Sequence, residues 1–261
     1  MTGKALYLEK QGPIGWLVLN RPDKRNAFTQ AMWEEIPVLV AEAEADPEIK
    51  IIILRSSTPE AFSAGADISE FAAINKDPGR SNANREALRR AQRDVARATK
   101  PTIAMIEGVC VGGGCGLALA CDMRFAEPSA RFGITPVKLG LVYSLQDTKQ
   151  LVDLVGPAQA KSILFTGRLV SAEEALRIGM INDIFAGGTL EAEVINFAES
   201  IAANSQFGVR GIKKIIQLIL DGESDDTAET REMFLESFGG ADYLEGVDAF
   251  LNKRKPKFPF S

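Results

Sequence analysis

The sequence predicts an α/β fold followed by a helical C-terminal region, and three observations carry that expectation. Short β-like apolar runs alternate with helix-like segments through the first half of the chain, whereas helix-like segments dominate from Leu145 onward. Two small-residue turns, Phe62-Ser63-Ala64-Gly65-Ala66-Asp67 and Val111-Gly112-Gly113-Gly114-Cys115-Gly116, each follow a β-like run and precede a helix-like segment. With 261 residues, 46% hydrophobic and 25% charged, the chain has the composition of an ordinary globular protein with a substantial core.

Taken in order, residues 5–9 and 14–19 are β-like runs joined through Lys10-Gln11-Gly12-Pro13, which reads as a hairpin. Residues 20–27 form a polar loop. A helix is expected from Thr29, a candidate N-cap, to residue 45, with Pro37 bending it or marking a helix start. The continuous apolar run 49–55 has the character of a buried strand. After the first small-residue turn, residues 68–74 read as a short helix and residues 75–84, rich in Gly, Pro, Ser and Asn, as a mobile loop. Residues 85–99 form a charged helix that Pro101 stops, leading into a strand at 102–107, a small helix at 115–120 and a strand at 122–126. Helices follow at 145–154, 157–166, 172–178, 190–203, 209–221, 227–238 and 243–252, with a strand near 181–185. The expected division is a core over residues 1–190 and a helical region over 191–261.

Composition narrows the chemistry. The net charge of -5, with basic residues dispersed, argues against a nucleic-acid partner. No run is long and apolar enough to span a bilayer and the N-terminus lacks a signal-peptide core, so a cytoplasmic protein with no membrane partner is expected. The sequence contains no histidine, which excludes imidazole catalysis. Cys110, Cys115 and Cys121 show no CxxC pairing, so reduced packing cysteines are expected and no metal site.

The glycine run fits neither GxGxxG nor GxxxxGK[ST], so it is not a nucleotide loop. Its plain reading is close helix-to-strand packing. Paired with the first turn it acquires another meaning, because two such turns can aim two bare backbone N–H groups at one oxygen. That arrangement stabilises an enolate or tetrahedral oxyanion without any ionisable side chain.

These two turns at their separation resemble the crotonase family, also called the enoyl-CoA hydratase/isomerase family. The likeness extends to Leu19-Asn20-Arg21-Pro22, to Phe132-Gly133 with Lys138-Leu139-Gly140-Leu141, and to the tail Ala249-Phe250-Leu251-Asn252-Lys253-Arg254-Lys255-Pro256. The resemblance implies a crotonase-like spiral core of ββα turns and a helical C-terminal trimerisation region, in a homotrimer or dimer of trimers. It implies an acyl-CoA thioester as substrate, with coenzyme A part of the substrate and no separate cofactor. The thioester oxygen would be held by the N–H groups of Ala66 and Gly113. Ala64, Asp67 and Ile68 would line the adenine and pantetheine path, although a helix N-cap is the simpler account of Asp67. Lys24 or Arg25, and Lys253, are candidates for the CoA phosphates, their plain reading being solvated surface charge.

The pattern also breaks. The two glutamates that hydratases of this family use fall at Gly116 and Pro136, neither of which can move a proton, which argues against efficient hydration. The segment from Phe132 to Leu145 is more similar to the methylmalonyl-CoA decarboxylase branch, with matches at Thr135, Pro136 and Tyr143. It departs from that branch at Ala66, where that branch carries a histidine, and at Gly116, where it carries a glutamate. Decarboxylation needs an electron sink and a dry carboxylate pocket rather than a strong base. The expected activity is therefore an acyl-CoA lyase of decarboxylase type. In it Thr135 would line the substrate site and the Tyr143 phenol would orient the carboxylate or protonate the enolate. Alternatives are a hydratase or isomerase with an unplaced base, and a CoA-thioester-binding homologue without catalysis. Glu86, Glu107 and Asp147 are further acids that the sequence alone does not place near the site, and Ser144 offers only a hydroxyl.

Overall fold

The structure, a computed structural model, describes residues 3–70 and 76–260. In chain order, β1 (Leu6–Gln11) and β2 (Ile14–Leu19) precede α1 (Gln30–Ala45), β3 (Ile51–Ser56) and β4 (Ala61–Ser63). Then come α2 (Pro78–Ala96), β5 (Thr102–Ile106), β6 (Val109–Val111), α3 (Gly113–Ala120), β7 (Met123–Ala126) and β8 (Arg131–Gly133). The rest is α4 (Leu145–Thr166), β9 (Leu169–Ser171), α5 (Ala172–Arg177) and β10 (Asp183–Ile184), then α6 (Leu190–Ala202), α7 (Gln206–Leu220), α8 (Ala228–Gly239) and α9 (Ala241–Leu251).

Two mixed sheets result. A six-stranded sheet runs β1-β2-β3-β5-β7-β10 and a four-stranded one β4-β6-β8-β9. The β1/β2 hairpin is antiparallel, whereas β2, β3, β5, β7 and β10 are parallel to one another. Each circuit of the chain, β3 to β4, β5 to β6 and β7 to β8, lays one strand in each sheet. This is the α/β spiral that the resemblance implied.

Burial explains why the strands read as continuous apolar runs, since every residue of β2 is buried and parallel strands are covered on both faces. Ile14, Trp16, Val18, Ile51 and Ile53 pack on one face with Leu190, Val194 and Ala198 of α6. Leu17, Leu19, Ile52 and Leu54 pack on the other with Trp33, Ile36 and Val40 of α1. Burying one such aliphatic side chain stabilises by roughly 1.5–3 kcal/mol. Truncating Ile53, fully buried at the sheet centre, therefore costs about 2–5 kcal/mol once the cavity is included.

Local expectations fared unevenly. Thr29 caps α1, its hydroxyl accepting from Met32 N at 3.3 Å, and the helix runs through a buried Pro37 rather than starting there. Residues 145–154 and 157–166 are two helical stretches, because Gly156 breaks α4 with φ 73°. The loop expected over 75–84 is wrong from residue 78 onward, because α2 begins at Pro78. Asp77 caps it by accepting from Gly79 N at 2.8 Å, and proline is favourable at the first helical position. Of the short helix expected over 68–74, a helical turn at 68–70 is present and residues 71–74 lie outside the described residues, as does Asn75 of the expected loop. The strands β8 and β9 have no counterpart in the sequence reading, being three residues each. Cys110, Cys115 and Cys121 are free and buried, as expected.

Candidate active site

The small sheet determines where the two turns meet. β4 and β6 are parallel neighbours, pairing Ala61 with Val109 and Ser63 with Cys110, and β6 and β8 pair Val111 with Gly133. The chain therefore leaves three adjacent strands on the same edge, at Ala64, Gly112 and Ile134. Carboxyl ends of parallel strands are where α/β folds assemble ligand sites.

The first turn is held by its own backbone and by the loop before α1. Ala64 N donates to Arg25 O at 2.8 Å, Gly65 N to Ser63 Oγ at 3.1 Å and Asp67 N to Phe28 O at 2.9 Å, while Phe28 N donates to Gly65 O at 2.7 Å. Asn26 anchors the loop beneath: its buried Nδ2 donates to Ser56 Oγ at 2.7 Å and to Ala61 O at 3.0 Å, and its carbonyl accepts from Ser63 Oγ at 2.8 Å. Every amide from 64 to 67 is thus committed except that of Ala66, which donates to no acceptor among the described residues.

In the second turn Gly112 N donates to Gly133 O at 2.8 Å, and Gly116 N closes the first helical bond to Gly112 O at 3.0 Å. Gly113 heads α3, so its N–H is one of those a helix leaves without an internal acceptor, at the positive end of the helix dipole. The two turns touch through backbone: a Cβ on Gly65, at φ 92°, would lie 3.5 Å from Gly112 Cα and 3.6 Å from Gly113 N. The packing reading of the glycine run is realised, since a Cβ on Gly114 would stand 2.4 Å from Ser63 Cβ.

The other residues singled out by sequence are placed as follows. Asp67 is buried, with Oδ1 accepting from Ser69 Oγ at 2.6 Å and Ser69 N at 3.0 Å, and Oδ2 paired to Arg21 at 2.8 Å. The Ser69 hydroxyl first, and then the Arg21 guanidinium, hold its carboxyl down at about 2. Ala64 is half-buried and Ile68 exposed beside it. Lys24 and Arg25 are exposed on the turn whose backbone is stitched to Ala64. Thr135 is half-buried at the head of a 3-10 turn over Pro136–Leu139. Lys253 lies on the exposed turn after α9 with φ 54° and no ion pair among the described residues. The Tyr143 hydroxyl is enclosed and lacks a hydrogen-bond partner among the described residues, and burial pushes its pKa well above the ordinary phenol value.

Around Gly116 the structure adds residues that sequence reasoning did not place. A Cβ there would stand 2.4 Å from Gln92 Nε2, 3.1 Å from Asp147 Oδ1 and 3.1 Å from the Tyr143 hydroxyl. Gln92 belongs to the buried stripe Ala87, Ala91, Val95 of α2, and Asp147 heads the stripe Leu151, Val155 of α4. A polar residue on an otherwise apolar helical stripe was the available signal for both. Glu86 is exposed and paired to Arg89. A cavity of about 810 Å³ lies at the far end of α3 between α4 and α7, and none of its lining residues belongs to either turn.

The sequence matches the family model described as enoyl-CoA hydratase/isomerase over residues 9–259. It is 34% identical to the short-chain-enoyl-CoA hydratase of Clostridium acetobutylicum over 96% of this chain and 95% of that protein. It is likewise 34% identical to the crotonyl-CoA hydratase of Syntrophomonas wolfei over 99% of each. Among solved structures, an enoyl-CoA hydratase/isomerase family protein from Hyphomonas neptunium superposes with a TM-score of 0.96 at 43% identity, covering 99% of this chain and 98% of the other.

Proposed function

The chain belongs to the enoyl-CoA hydratase/isomerase family of acyl-CoA enzymes, and from that premise we propose that it hydrates or isomerises an enoyl-CoA thioester through an enolate. In this reading the thioester oxygen accepts from Ala66 N and Gly113 N, both fixed before the charge develops. Preorganised donors of this kind need no reorganisation, and removing one typically costs about 10²- to 10³-fold in rate. The single observation that carries the proposal is the pair of unbonded amides at the contact between the turns.

Lys24, Arg25 and Lys253 are the cations we propose for the CoA phosphates, with Ala64 and Ile68 along the pantetheine path. Asp67 is better accounted for as the clamp of its own turn. Ile216, Ile219, Phe234, Leu235, Leu244 and Phe250 are exposed on the last three helices, and we propose that they pack against further copies of the chain in a trimer. Patches of this extent mark interaction surfaces.

Decarboxylation is the second reading. It is favoured by Thr135-Pro136 together with the unpartnered Tyr143 phenol, but no relative named above is a decarboxylase. Incubating purified protein with crotonyl-CoA, a 3-enoyl-CoA and methylmalonyl-CoA, with mass spectrometry of the products, separates the two. Uptake of one water or a shifted double bond supports the first reading. Loss of carbon dioxide alone, or binding without turnover, overturns it.

A further inference from the structure

Gly116 is surrounded by polar atoms whose arrangement packing alone does not explain. Gly116 lies three residues beyond Gly113, one turn along α3 and on the same side of the helix. Gln92 from α2, Tyr143 from the loop before α4 and Asp147 from α4 converge there, all within 3.1 Å of where a Gly116 Cβ would be. Asp147 is 4% exposed. Its Oδ2 accepts from Ser144 Oγ at 2.5 Å, whereas Oδ1, the atom turned toward Gly116, makes no well-formed hydrogen bond among the described residues, with the Gln92 amide the polar group beside it. A buried polar atom left unmatched destabilises the fold, and the Tyr143 hydroxyl beside it is unmatched too. Two neighbouring unmatched polar groups facing one glycine are an exception to buried-group pairing that a catalytic role accounts for.

We propose that Asp147 is the catalytic carboxylate of this site, moving the substrate proton beside Gly116, where the ends of Gln92 and Tyr143 now stand, in place of an acid carried on α3. The assignment rests on the enolate reading above. Asp147 Oδ1 takes a proton from a carbon adjacent to, or conjugated with, the thioester. The C–H electron pair becomes the new π bond of the enolate, and the negative charge settles on the oxygen held by Ala66 N and Gly113 N. The now neutral carboxyl returns the proton to the α- or γ-carbon, the enolate pair forms the new C–H bond, and Asp147 is again ionised. No further reactant is needed. The atoms nearest Gly116 end the rotatable side chains of Gln92 and Tyr143, so substrate access requires torsional motion rather than backbone displacement.

The electrostatics suit a proton shuttle. Burial raises the Asp147 pKa above the ordinary carboxylate value, against the opposing effect of neutral Ser144 and Gln92. Tyr143 is the titratable group facing it, with the Cys115 and Cys110 thiols behind the phenol.

The test is α-proton exchange of butyryl-CoA in D₂O, read by mass spectrometry, which requires an enolate and a base but no double bond. Asp147→Asn is expected to slow exchange by about 100-fold or more, the usual contribution of general acid–base catalysis, with butyryl-CoA affinity unchanged by calorimetry. In the wild type the rate rises with pH through an apparent pKa above the ordinary carboxylate range, and this limb is absent from the variant. Should Asp147→Asn unfold, Asp147→Glu keeps the charge and the helix cap and is expected to retain measurable exchange. Exchange by folded Asp147→Asn within about threefold of wild type overturns the assignment while leaving the enolate reading intact. Absence of exchange in the wild type removes that reading and this assignment with it.

Discussion

Replacing Gly65 with alanine tests the contact between the turns. At φ 92° an alanine is strained by roughly 1–2 kcal/mol. Its Cβ would also stand 3.0 Å from Val111 O, so the second turn must retreat by a few tenths of an ångström. Oxyanion donors work at 2.7–3.1 Å from the charged oxygen, and Gly65 immediately precedes Ala66 while Val111 lies two residues before Gly113. A shift of that size would move both proposed donors out of range together. We expect kcat/KM with an enoyl-CoA to fall by about 10- to 100-fold, or roughly 1.4–2.7 kcal/mol of transition-state stabilisation, chiefly in kcat. Gly12→Ala is the control: its φ is 55° and nothing lies within 4 Å of the added Cβ, so it carries the strain without the push. Gly65→Ala should lose at least as much thermal stability as the control, and only Gly65→Ala should lose activity. Gly65→Ala that is destabilised like the control yet turns over within about threefold of wild type would refute the placement of the donors.

Three further outcomes follow from the same geometry. Gly116→Ala places a methyl group against Gln92, Asp147 and Tyr143, whose side-chain ends can yield; activity should fall at least about tenfold with thermal stability nearly unchanged, measured by kinetics and calorimetry. Tyr143→Phe removes a buried hydroxyl without a partner and should stabilise by about 1 kcal/mol, seen as a Tm rise of roughly 2–4 °C; a lower Tm would mean that the phenol is satisfied in solution. Asp67, held at about 2 by Ser69 and Arg21, titrates near 3.9 when unfolded, so its contribution is complete above about pH 4 and is lost as pH falls toward 2. Urea midpoints of wild type and Asp67→Asn should converge over that interval, and parallel curves would show that the clamp does not act as described.

The helices and the two small-residue turns were legible because each carries a local signature: a cap, a stripe, or a run of residues without side chains. Thr29 and the Gly156-Pro157 break could be read directly. The start of α2 could not, because Gly79, Ser81 and Asn82 resemble a loop until Asp77 and Pro78 are recognised as a cap and first turn. Pairing of β4 with β6 and β8 depends on contacts between segments distant in sequence, which no local pattern encodes. For the same reason Asp147 was visible as an acid but not as a neighbour of Gly116, 31 residues earlier in the chain. The N-cap expectation for Asp67 needed only the next two residues, and it agrees with the bonds to Ser69.

The parallel order of β4, β6 and β8 has a consequence for how such a protein diversifies. Each strand delivers its own connection to a common rim, so an insertion in one connection reshapes one wall and leaves its neighbours standing. Acids can be lost from one wall and regained from another while the amides beneath stay fixed. Substrate range and reaction outcome are then free to drift segment by segment, on a scaffold whose only invariant demand is that two adjacent rungs keep their spacing.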